Sequence, residues 1–87
     1  MEDIYGLVKT VIISEQGNPD SGFKYDIYRA EGNESDRWHV QPSVQKAVST
    51  NEGLHHVWVS LASKTFSGSN ELEDIISECR AHFRENL

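Results

Sequence analysis

The sequence predicts an α+β domain: an antiparallel meander of four or five strands with one C-terminal helix packed on one face. Three observations carry this expectation. Apolar and polar residues alternate with period two in Phe23–Ala30, Arg37–Gln41 and Leu54–Ser63, the mark of half-buried strands. Clusters of turn-forming residues separate these runs at hairpin distances. The final stretch, Asn70–Phe83, changes to the three-and-four spacing of an amphipathic helix. At 87 residues the chain has room for one core, so residues 1–87 are read as a single domain.

Leu7 to Ser14 is β-branched and free of turn formers, so it is read as the first strand. Apolar residues fall on both of its faces, which suits a strand with neighbours on both sides or with its second face covered. Glu15 to Gly22 carries Gly17, Asn18, Pro19, Asp20 and Gly22 and is read as a wide loop. Phe23, Tyr25 and Ile27 then point one way and Lys24, Asp26 and Tyr28 the other. After the polar turn at Glu31–Ser35, Trp38 and Val40 point inward while Arg37, His39 and Gln41 point outward.

Pro42 cannot donate to a ladder, so pairing through it must bulge or end. Residues 43–50 are ambiguous. Val44, Ala47 and Val48 sit at helical spacing behind a possible Ser43 cap, but Val44, Val48, Ser49 and Thr50 prefer a strand. Asn51-Glu52-Gly53 fits a hairpin loop with glycine at positive φ, which tips the reading towards strand. Leu54 to Ser63 places Val57, Val59 and Leu61 on one face and His56, Trp58 and Ser60 on the other. Lys64 to Ser69 is read as a connection. Asn70 caps the helix, with Glu73 three residues on; Leu72, Ile75, Ile76, Cys79 and Phe83 form its apolar stripe. Acids at its start and Arg80, His82 and Arg84 near its end complement the dipole. The passage Gly68–Ile76 resembles the sheet-to-helix passage of small antitoxin-like domains; the resemblance covers a generic helix start and transfers no site residue.

Composition narrows the function. The net charge of −6 opposes nucleic-acid phosphates, and no run of the kind that stacks RNA bases is present. No apolar stretch approaches the roughly 20 residues that span a bilayer. The acidic start, Met-Glu-Asp-Ile-Tyr, lacks the plan of a signal peptide, so a cytoplasmic protein is expected. A lone cysteine, Cys79, permits no intrachain disulfide. Phosphate-loop, dinucleotide, zinc-protease and serine-hydrolase motifs are absent.

Two chemical constellations stand out. Cys79 and His82 are three apart on the helix and could begin a metal site with His39, His55 or His56. The same cysteine could pair with a histidine as a nucleophile. Against both, Cys79 lies in the apolar stripe, where a cysteine acts as a small core residue and its pKa rises. No cofactor and no catalytic residue are therefore expected.

The strongest pointer is geometric. One helix covers one face of such a sheet. Parity leaves Tyr28, His39 and Trp58 on the other face, with Lys24, Arg37, Gln41, His56 and Ser60 around them, and Tyr, Trp and Arg are enriched at binding hot spots. Pro42, the N-terminal Ile4 and Tyr5, or the 43–50 segment could instead cover Trp58. The expectation is a small, acidic, non-catalytic protein-binding module: an inhibitor, immunity-type factor or adaptor whose partner is another protein. A homodimer using the same face and a small metal-dependent enzyme are the alternatives.

Overall fold

The computed structural model describes residues 4–15, 18–31, 37–66 and 71–86. The elements are β1 (Tyr5–Glu15), β2 (Asn18–Ala30), β3 (Trp38–Thr50), β4 (Gly53–Ser60), β5 (Lys64–Phe66) and α1 (Leu72–Glu85). β1 to β4 form an antiparallel meander in spatial order β1-β2-β3-β4, and the short β5 returns to pair with the start of β3. This is the α+β architecture the alternation predicts, with α1 against β1 and β2.

Register explains the core. Phe23, Tyr25 and Ile27 of β2 pair with Val44, Pro42 and Val40 of β3, so period two places them on one face. α1 lays Ile75, Cys79 and Phe83 on that face at steps of four residues. Together with Trp38 these side chains form the buried core, flanked by the partly buried Val11, Ile13, Leu72 and Ile76. The Phe23 and Phe83 rings meet edge to face at 5.5 Å, a geometry that places the positive ring edge on the negative ring face.

The helix begins later than the spacing predicts. Glu71, in extended conformation, is the N-cap, and its backbone N–H donates to Asp74 Oδ2 at 3.0 Å. The acid completing the cap is therefore Asp74 rather than Glu73. The predicted cap, Asn70, lies outside the described residues, as do Gln16-Gly17 and the centre of the turn after Glu31.

Three further expectations change, and residues 43–50 take the strand that the turn at Gly53 favours. β2 begins at Asn18, which pairs with Glu15. The register slips between that pair and Ile13–Phe23, so the Pro19–Gly22 backbone is taken up by an irregularity within the ladder instead of an open loop. Residues 43–50 continue β3, because their amides and carbonyls find a full ladder in β4. The stretch read as a connection contains β5, whose Lys64–Phe66 pairs with Val40–Trp38. β1 is an edge strand with neighbours on one side only, and Leu7, Val8 and Ile12 stay exposed.

Pro42 is accommodated on both sides. Towards β2 the ladder passes straight through it, opposite Tyr25. Towards β4, Leu61 N–H donates to the Pro42 carbonyl at 2.9 Å. The return donor that proline lacks is supplied by the neighbouring side chain: Gln41 Nε2 donates to the Leu61 carbonyl at 2.7 Å. Beyond Leu61 the register against β3 shifts by one residue before β5 resumes, so the ladder breaks on this side alone.

β4 departs furthest from its alternation. All eight of its residues are exposed, including Val57 and Val59, which parity assigns to the helix side. The 14-residue α1 extends about 21 Å and lies over β1 and β2. β2 itself stops pairing at Phe23–Val44. Gln45–Thr50 and Gly53–Trp58 thus form a two-stranded ribbon beyond the sheet, which accounts for a longest dimension of 48 Å against 28 and 17 Å. Gly53 closes the ribbon's turn at φ +120°, a conformation open to glycine and strained for other residues.

Candidate functional site

The face away from α1 is built in rows across the strands. Leu7, Tyr28, His39 and Thr65 align through the β1, β2, β3 and β5 registers. His39 Nδ1 lies 3.1 Å from Thr65 Oγ1. The His39 ring has Tyr5 at 5.8 Å and Tyr28 at 6.3 Å, both tilted. Tyr5, Tyr28, His39 and Gln41 line an open basin of about 540 Å³, within the size range of small-ligand and side-chain pockets.

Tyr5 reaches this basin because of a β-bulge. Val11 pairs with Tyr25 and Lys9 with Ile27, on the helix side; Leu7 then pairs with Tyr28, on the open side. The extra residue, Val8, reverses the parity, so Leu7 and Tyr5 change faces.

The next row holds Thr10, Asp26 and Gln41, with Thr10 Oγ1 donating to Asp26 Oδ1 at 2.8 Å. The row after it holds Ile12, Lys24, Ser43 and Ser60. From β2 the Lys24 ammonium reaches across the small, buried Ser43 to lie 5.1 Å from the Trp58 ring centroid, a cation–π arrangement. Trp58 is opposite Gln45, and His56 is one row further out on the ribbon, opposite Ala47.

The five residues singled out from sequence are therefore on one face but in two groups. Tyr28 and His39 form the basin; Arg37, whose carbonyl accepts the Ala30 N–H at 2.9 Å, flanks its far end. Trp58 and His56 belong to the ribbon. Gln45 is six residues beyond His39 along β3, about 20 Å of strand. Neither Pro42, which faces α1, nor Tyr5, which joins His39, covers Trp58; it is 38% exposed. Parity places Gln41 beside Tyr28 and His39, as observed. Sequence reasoning missed Tyr5 and Thr65, because the Val8 bulge and the pairing of β5 leave no signature in composition.

The helix side holds the other chemical candidates. Tyr25 Oη and His82 Nδ1 are 2.9 Å apart, tying the sheet to α1. Burial, with a smaller contribution from Glu78, pushes the Cys79 thiol up to about 11. A thiol so placed carries no thiolate near neutral pH. Burial, with a smaller contribution from Cys79, also raises the Tyr25 phenol, keeping it protonated. The cleft here, lined by Tyr25, Lys64, Glu78, Cys79, His82 and Glu85 among others, encloses about 60 Å³. That is room for a few waters and not for a substrate. Among the described residues no group of three or more His, Cys, Asp or Glu is arranged to hold a metal ion.

His82 gives this clamp a pH dependence. Burial, followed by the Lys64 charge, lowers its pKa from the usual 6.5, and Glu85 opposes them. The unfolded chain therefore takes up this proton more readily than the folded one. Stability from the neutral imidazole is present above about pH 6.5 and is lost as the pH falls towards the lower folded value. Thermal denaturation at about pH 7 and about pH 5.5 is expected to show a drop in midpoint that is smaller in His82→Gln. An equal drop in both proteins would remove His82 as its source.

Comparison with protein-family models, curated proteins and solved structures finds no match to this chain. Among the described residues, no helix is long and apolar enough to cross a membrane.

Proposed function

We propose that this chain is a non-catalytic binding module that holds another protein on its open sheet face, with the Tyr5–Tyr28–His39 basin as the anchor pocket. The observation that carries the reading is the basin itself. It is about 540 Å³ of uncovered, ring-walled space on the face opposite the helix. Two of its rings stand on β2 and β3, strands whose opposite sides are packed in the core. A pocket floored by such strands is preorganised, so little side-chain ordering is spent on binding. Tyrosine supplies broad contact area at low entropic cost, and a partner's inserted side chain would meet Gln41 and Thr65 as polar guides at the edge. Lys24 and Trp58, farther along the same face, extend the surface over a length suited to a protein partner rather than a small solute. The acidic balance of the chain, −6, favours a partner of opposite charge by steering.

The test is affinity capture from native lysate with immobilised wild type, Tyr28→Ala and Trp58→Ala in parallel. A specific partner is expected to fall at least about tenfold in recovery with Tyr28→Ala, the scale of a hot-spot loss, and by less with Trp58→Ala. Both variants are expected to keep the wild-type circular dichroism spectrum. Capture that is indifferent to Tyr28, or unfolding of both variants, would refute this reading.

A further inference from the structure

The fixed polar groups at the basin accept hydrogen bonds. Gln41 Nε2 donates to the Pro42 carbonyl at 2.9 Å and to the Leu61 carbonyl at 2.7 Å. Carbonyl oxygens only accept, so these two contacts fix the amide with its nitrogen towards them and use both of its hydrogens. What Gln41 has left to offer is Oε1, a pure acceptor. Directly across the ladder from Gln41 stands Asp26. Thr10 Oγ1 donates to one of its oxygens at 2.8 Å, and a carboxylate has acceptor capacity beyond that single bond.

The walls share this preference. Tyr5 and Tyr28 lean on His39 at 56° and 52°, with centroids 5.8 and 6.3 Å away. Rings tilted this far do not cover one another as a stack would, and an aromatic face carries negative charge density. The same sheet face already holds one cation on a ring: two rows along from Tyr28, the Lys24 ammonium lies 5.1 Å from the Trp58 centroid. That contact draws Lys24 away from the basin, and Asp26 stands between them on β2. At the other end Arg37 sits beside Ala30; it is not among the lining residues and is itself engaged. A positive guest is thereby directed to the Gln41–Asp26 end.

Resting on the binding-module reading, we infer that the basin takes an arginine side chain of the protein partner. The guanidinium lies against the tyrosine faces and donates from its edge to Gln41 Oε1. Three properties select this guest. An apolar side chain would cover Oε1 without supplying a donor, which costs its desolvation. An ammonium is a compact, strongly hydrated charge, whereas a guanidinium is weakly hydrated, planar and able to stack on a ring while its edge donates. The basin, about 540 Å³ and open, accepts such a plate without enclosing it. The net charge of −6 adds attraction at longer range.

The test needs only this chain and small probes. N-acetyl-arginine amide, its citrulline analogue and its lysine analogue are titrated into isotope-labelled wild type and followed by NMR. Citrulline keeps the shape of arginine and replaces the cation with a neutral urea. The arginine probe is expected to shift the signals of Tyr5, Tyr28, His39 and Gln41 saturably, with a Kd of about 1–10 mM, the scale of a single side chain. The citrulline probe is expected to bind at least about fivefold more weakly and the lysine probe at least about threefold. Tyr28→Leu, which keeps an apolar side chain but no ring, is expected to weaken the arginine probe at least about fivefold, while Tyr28→Phe stays within about twofold of wild type. Equal binding of the arginine and citrulline probes overturns the inference, as does equal binding of arginine and lysine. So does the absence of saturable shifts up to about 50 mM. If lysate capture still depends on Tyr28 in any of these cases, the binding module stands and its arginine guest falls. Capture indifferent to Tyr28 refutes the binding module instead, and the probes then still decide whether the basin holds a guanidinium.

Discussion

Replacing Trp38 with alanine is expected to destabilise the fold by about 3–5 kcal/mol, whereas the same change at Trp58 is expected to cost about 1 kcal/mol. The two indoles differ in what surrounds them. Trp38 is 2% exposed, lies in the core cluster, pairs with Phe66 of β5 and has the Arg29 guanidinium 5.0 Å from its ring. Its removal leaves a cavity that the surrounding strands cannot close, and it also removes the ring that holds β5 to the sheet. A domain of this size has a total stability of about 5–10 kcal/mol, so this one truncation removes a large part of it. Trp58 is 38% exposed on a ribbon that lies beyond the last β2–β3 pair, so its loss forfeits a partly wet contact with Lys24 and little else. Urea denaturation at one fixed protein concentration reads both changes as shifts in midpoint. Equal shifts would show that Trp58 is a core residue, and the open face would then be no binding surface.

Both tryptophans sit in strands with clear alternation, and the sequence placed them on opposite faces by parity alone. Wherever one face of a strand is buried and the other is not, the period of two is written into the residues: Phe23, Tyr25 and Ile27 against Lys24, Asp26 and Tyr28. The same holds for the helix, whose stripe from Leu72 to Phe83 has one solution. Legibility fails where a feature depends on pairing rather than composition. The Val8 bulge turns Tyr5 and Leu7 to the other face without changing any residue type. β5 is too short to alternate. The missing donor of Pro42 is replaced by a glutamine side chain whose role appears only once Leu61 lies opposite.

The candidate site was legible to the same depth. Parity assigned Tyr28, His39, Trp58, Arg37 and His56 to one face, but says nothing of distance along a strand. Tyr28 and His39 meet because β2 and β3 pair in that register, and Trp58 stands apart because its partner is Gln45, six residues further along β3. The alternation in β4 reads as half-buried because Val57 and Val59 are spaced as core residues are. That face nevertheless stays exposed along all of β4.

Truncating Ile75 to alanine is expected to cost about 2–5 kcal/mol and to move helix and sheet together. Ile75 is wholly buried in the first half of α1, with Cys79 and Phe83 following one and two turns later on the same stripe. A 14-residue helix has little stability alone in water, so α1 persists only by docking. The sheet is equally dependent on it, since undocking would return Phe23, Tyr25 and Ile27 to water and break the Tyr25–His82 bond. In a Trp58→Phe background, Trp38 is the one remaining indole and reports on the core, while far-ultraviolet circular dichroism reports on the helix. The two transitions are expected to coincide before and after the Ile75 change. Ile75→Val, which removes one methylene, should show the same coincidence with a smaller shift of about 0.5–1.5 kcal/mol. If the helix signal disappears at lower urea than the Trp38 signal, α1 is not what seals this core. The sheet would then hold both faces open to water, and the reasoning that makes one face a binding surface would lose its contrast.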